Sequence, residues 1–138
     1  MWWIYALLSA VFAALTAIFA KVGIKGVDTD LATAIRTVVI LVLAWAIVFV
    51  RGSSNLNSLT KTNWLFLVLS GIATGLSWIF YFKALQLGKV NQVAPLDKLS
   101  VPLAIILAIV FLDEKLTLKD GIGAFLIISG TFVLILKF

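Results

Sequence analysis

The stretch Asn91–Lys115, NQVAPLDKLSVPLAIILAIVFLDEK, decides how the rest of the chain is read. From Leu103 to Leu112 every side chain is apolar. Just ahead of that run stand Pro95, Asp97, Lys98 and Pro102. A segment this greasy is expected to cross a bilayer as a helix, because lipid offers a backbone N–H or C=O no outside partner. The ion pair and the prolines are what lipid rejects, so this helix must turn that part toward water or protein.

Outward from this segment the whole chain follows the same pattern. Of the 138 residues, 63% are hydrophobic and 12% charged, and the mean hydropathy is +1.18. A soluble domain is about half apolar and about a quarter charged. A water-soluble fold of this length could not hide so much apolar surface. A span needs about 20 mostly apolar residues. Five runs meet that need: Trp2–Ala20, Leu31–Val50, Trp64–Leu87, Val93–Leu112 and Leu118–Leu136. They lack the polar alternation of barrel strands, so helices are predicted throughout. The first run has no basic leader and is too long for a signal peptide; Trp2, Trp3 and Tyr5 read as an interfacial anchor. Asp30 is expected to cap the second helix, and Thr62 or Asn63 the third. Gly88 and Lys89 turn the third helix into the fourth. No linker, soluble domain or internal repeat interrupts the order, so residues 1–138 are taken as a single transmembrane domain.

The inventory removes whole classes of chemistry. The chain has no cysteine and no histidine, hence no disulfide, no thiolate site and none of the commonest general base. Nothing resembles a catalytic constellation or a phosphate-binding loop, so no enzyme activity, cofactor or metal is expected. Asp113 and Glu114 are adjacent at a membrane edge and read as a helix end. The net charge of +5 is carried by bases at the ends of greasy runs, which points to lipid headgroups and not to nucleic acid.

Five spans put the two ends of the chain on opposite faces. Arg51, Lys61, Lys115 and Lys119 flank the face of the N-terminus; Lys21, Lys25, Lys89 and Lys137 flank the other. Orientation follows the excess of flanking bases on one side. Here there is none, and such a chain can insert either way round.

Arg36, Lys83, Asp97 and Lys98 fall inside predicted spans, all in the half of the membrane away from the N-terminus. Each costs roughly 2.5–3.5 kcal/mol at the bilayer centre and less near an edge. The turn at Gly88–Lys89 predicts that Lys83 and Asp97 lie level on neighbouring helices. Two readings compete: the bases snorkel to headgroups, or the group lines a hydrated cavity. Asp97 and Ser100, at i and i+3, would share one wall of it. Pro95 and Pro102 read as hinges of a broken helix or as a static kink, and Pro95 could also sit harmlessly in a first turn. On the third span Ser70, Thr74, Ser77 and Tyr81 step by four, three and four along one face, beside the close-packing motif Gly71–Gly75.

The segments ATAIRTVVI (32–40), YFKALQLGKVNQVAPL (81–96) and AIVFLDEKLTLKDGIGAFLIISG (108–130) resemble the EamA family of the drug/metabolite transporter superfamily. Members usually have glycine before the glutamate where this chain has Asp113. The resemblance implies an all-α membrane protein, a single unit of five helices where most relatives carry two inverted ones. A lone unit can reproduce that architecture by pairing with a copy of itself, as a ten-helix antiparallel homodimer of dual topology. It further implies a multi-pass carrier in the cytoplasmic membrane of a prokaryote, exporting a small metabolite, amino acid or drug by alternating access. Arg36, Lys83 and Lys98 would favour an anionic or zwitterionic substrate, and Asp97 would be the proton-linked switch. Two alternatives remain open: a subunit of a lipid-linked-sugar flippase, and an assembly protein that carries no flux.

Overall fold

A computed structural model describes residues 1–52 and 55–136. Ser54 and Lys137 therefore lie outside the described residues, and with Lys137 one base of the flanking count. The described chain is helical: α1 Trp2–Gly23, α2 Thr29–Arg51, a single 3-10 turn Leu56–Ser58, α3 Lys61–Leu87, α4 Val90–Asp97, α5 Ser100–Leu112 and α6 Leu118–Ile135. Five segments are long and apolar enough to cross a membrane, with Val90–Leu112 counted as one interrupted segment. At 1.5 Å per residue, 20 residues cover about 30 Å, the thickness of the hydrocarbon layer.

Each helix starts and stops for local reasons. The expected cap at Asp30 is corrected to Asp28, which is extended and accepts from the N–H groups of Asp30 (2.9 Å) and Leu31 (3.1 Å). The third helix starts earlier than expected, at Lys61, so Thr62 and Asn63 lie inside it. Thr60 does the capping, its hydroxyl accepting from Asn63 N–H at 3.2 Å. Gly52 ends α2 in the left-handed region at φ 65°, where a side chain would be strained. Asp113 ends α5 in the same region at φ 54°. Thr117 and Asp120 form a reciprocal capping box at the head of α6.

The contacts group the chain into two compact units, residues 19–86 and residues 1–18 with 87–138. In the first, Ala20, Ile24, Thr29, Thr33, Phe82 and Leu85 are buried, and Phe82 and Leu85 are fully enclosed. Lys21 Nζ donates to the Leu85 carbonyl, giving the last turn of α3 a cation where its own sequence supplies none. Gln86 Nε2 donates to the Val27 carbonyl at 3.0 Å, tying the α1–α2 loop to α3. In the second unit α6 packs against α4 and α5, and Ala17, Val93, Pro102 and Thr131 are buried. Most large apolar side chains of every long helix are exposed on the chain's surface, as expected where lipid or another chain is the neighbour.

Close packing expected at Gly71 and Gly75 is not used within the chain. A Cβ added to either would meet no atom within 4 Å.

Candidate functional site

Besides the exposed Lys83 on α3, two places in the structure hold charge where a membrane-spanning segment should have none. The first is the interruption of the fourth span. Pro95 is the sixth residue of α4, beyond the first turn, and it removes the N–H that Asn91 would have received. Pro102 is the third residue of α5 and is buried. Of the two prolines it is therefore Pro102 that sits in a first turn, the reverse of the expectation for Pro95. With no N–H at Pro102, the Lys98 carbonyl takes Val101 N–H instead, at 3.0 Å. The bonds Lys98 N–H to Pro95 O (3.0 Å) and Leu99 N–H to Leu96 O (3.1 Å) are also tightened to three-residue steps. The α-helical ladder thus lapses over a turn between the two prolines and resumes with Leu103 N–H to Leu99 O at 3.3 Å. From α6, the buried Thr131 hydroxyl donates to the Pro95 carbonyl at 3.2 Å.

The ion pair sits on this lapse. Lys98 Nζ lies 3.4 Å from the Asp97 carboxylate, and their side chains are 57% and 38% exposed. Asp97 is seven residues from the start of α4, or about 10 Å along the axis. A pair that deep and that open requires water or protein beside it, since acyl chains solvate neither charge. Ser100, three residues after Asp97, opens α5. It lines a groove of about 500 Å³ with Val101, Ala104, Ala108, Glu114 and Asp120.

The second place is on α2 and α3. Arg36, half-buried, rests its guanidinium carbon 4.7 Å from the ring centroid of Trp78 and 4.7 Å from that of Phe82. Trp78 and Phe82 are one turn apart and present both rings on the same side of α3. Tyr81 packs on Phe82 with centroids 6.2 Å apart. Among the described residues of this unit, no carboxylate lies within 4.0 Å of Arg36. Thr33 and Thr37, beside it on α2, donate their hydroxyls to backbone carbonyls four residues earlier, each at 2.8 Å.

Of the other expected residues, Ser70, Ser77 and Lys83 are exposed, and Thr74 donates its hydroxyl to the Ser70 carbonyl at 2.8 Å. Lys83 and Asp97 belong to different units, and the ion pair that Asp97 makes is with Lys98. Reading the sequence missed Trp78, Gln86 and Thr131. An aromatic pair at i and i+4 near an intramembrane arginine was the available signal for Trp78; the other two carried none.

Apolar helices of spanning length, one of them interrupted around an ion pair, define a polytopic membrane protein, and its class is that of membrane transporters. The profile of the EamA-like transporter family matches residues 1–136, and the chain belongs to that family. It is similar to a Sinorhizobium sp protein described as "Uncharacterized transporter in cobO 3'region", with 51% identity over 134 residues, 96% of this chain and 95% of that protein. No solved structure matches the chain.

Proposed function

We propose that the chain is the protomer of an antiparallel homodimeric carrier that exports a small carboxylate-bearing metabolite, such as an amino acid, across the cytoplasmic membrane of a prokaryote. The observation that carries this is the lapse of the fourth span at Lys98–Leu99, with an open ion pair seated on it. Carriers place such interruptions where a helix must bend and where charge meets substrate or ion. Pro95 and Pro102 supply the bend by denying the ladder two donors.

Alternating access then needs a group whose charge changes with the state of the cycle. Asp97 is that group. Protonated, it releases Lys98, and the loosened turn lets α4 and α5 tilt independently. Ionised, it re-forms the pair. The residues we assign to substrate passage are Arg36, Ser70, Thr74, Ser77, Tyr81 and Lys83 within residues 19–86, and, separately, Asp97, Lys98 and Ser100 within the other unit. Dimerisation is supported by three features. The Sinorhizobium protein, described as a transporter, aligns with this five-helix chain over 95% of its own length. The flanking bases show no side preference. The Gly71–Gly75 face is open to a second chain.

The test is Asp97→Asn in proteoliposomes, with flux measured against pH on each side. The variant should lose the pH dependence of flux. An unchanged profile removes Asp97 from the mechanism.

The groove along α5 favours a second reading. It is apolar through Val101, Ile105 and Ile109 and charged at one end by Glu114, Lys115 and Asp120, a match for an acyl chain under a polar head. A flippase subunit for lipid-linked sugars would use it so. Lipid retained through purification, with no flux of soluble metabolites, would favour that reading.

A further inference from the structure

We propose that Arg36, held by Trp78 and Phe82, is the seat for the substrate's carboxylate, and that Trp78 is the residue that positions it. This rests on the carrier reading above and adds to it the site and the group recognised.

Arg36 is seven residues past the start of α2, which is about 10 Å along the helix. Side chains on a helix lean toward its N-terminus, here the near membrane edge. A snorkelling arginine would follow that lean and carry its head outward, past Phe82 toward Gln86. The guanidinium instead lies at the same distance from Trp78 as from Phe82. Phe82 and Trp78 are five and nine residues before the end of α3, about 7 and 13 Å inside it. The charge is therefore held roughly 10 Å along both helices from their ends, level with the two rings.

What holds it there is chemically one-sided. A guanidinium is attracted to the face of an aromatic ring. The five N–H donors lie in the plane of the group in a fixed fork, and ring contacts do not take up the hydrogen-bonding capacity that a carboxylate would use. Asp28 and Asp30, the carboxylates of the same unit, do not approach within 4.0 Å, and Asp28 is engaged as the cap of α2. A half-buried cation resting on two rings, with Tyr81 as its electrostatic neighbour and no carboxylate of its unit within 4.0 Å, suits a planar oxyanion that accepts two parallel hydrogen bonds. Lysine in the same place would keep the charge and lose the fork. A phospholipid headgroup offers oxyanion chemistry too, and the vesicle composition in the test separates it from a soluble carboxylate.

The chain contains two arginines, Arg36 and Arg51, so the full-length protein labelled with ¹⁵N-arginine gives two Nε–H signals, and Arg36→Lys assigns them. The protein is placed in phosphatidylcholine vesicles and titrated with benzoate, L-leucine and succinate, with benzamide as the uncharged control. The expected result is a saturable shift of the Arg36 signal by at least one carboxylate and none by benzamide. Trp78→Leu should weaken that binding about tenfold, with Trp78→Phe restoring most of it, as a ring-dependent role requires and a merely structural one does not. An Arg36 signal unmoved by all three carboxylates, or moved only when phosphatidylglycerol is added to the vesicles, overturns the seat. Flux of the same compounds is read in parallel. Transport with an unmoved signal defeats the seat and spares the carrier; a moved signal with no transport of any of them does the opposite.

Discussion

Asp113 holds a backbone angle, φ 54°, that side chains other than glycine's rarely adopt, and it is the one non-glycine residue among those described to do so. It occupies the position that closes α5. The left-handed region costs an L-residue about 1 kcal/mol, somewhat less for aspartate. Asp113→Gly should therefore stabilise the protein by about 0.5 kcal/mol, read as a rise in the thermal unfolding midpoint with flux unchanged. A fall would mean that the carboxylate does something for the fold that its backbone angle conceals. At this scale the residue types were legible in the sequence and their partners were not. Asp30 looked as good a cap as Asp28 because both are acids just before an apolar run. Only the extended backbone at Asp28 separates them.

At the scale of elements, the fourth span shows how a helix tolerates two prolines. Shared three-residue hydrogen bonds bridge the gap from Pro95 to Val101, and Thr131 on α6 supplies an extra donor to the Pro95 carbonyl. Thr131→Val keeps the shape and deletes that donor. Side-chain hydrogen bonds between membrane helices average about 0.6 kcal/mol, with a maximum near about 1.7. We expect a stability loss in that range, together with faster amide exchange at Leu96–Ser100. Slower or unchanged exchange there would show that the turn is held by its own backbone alone. The prolines and the spans could be read from the sequence, but not which proline opens a helix, because that depends on where the helix before it begins. Val90 rather than Val93 starts α4, and that shift of three residues moved Pro95 out of the first turn.

For the whole molecule the prediction concerns orientation. The chain is free of cysteine, so single cysteines can be placed in the exposed loops at Lys25 and Asn57, which lie at opposite ends of α2. If the protein inserts both ways round, an impermeant maleimide added outside cells should label a fraction of each variant. Labelling of one site alone would fix the orientation and remove the antiparallel dimer.

The number of spans, their helical form and their approximate limits were determined by the sequence alone. Lipid enforces them: an apolar run of that length has no other way to satisfy its backbone. The family resemblance was legible for the same local reason, in contiguous motifs. What the tertiary structure decided was which groups meet. Arg36 lies on Trp78 and Phe82, Gln86 reaches the α1–α2 loop, and Thr131 finds Pro95, all between residues far apart in the chain. Such meetings depend on how each helix is rotated about its axis. In a chain apolar on nearly every face, as α3 is, hydrophobic periodicity leaves that rotation undetermined, and packing between helices sets it.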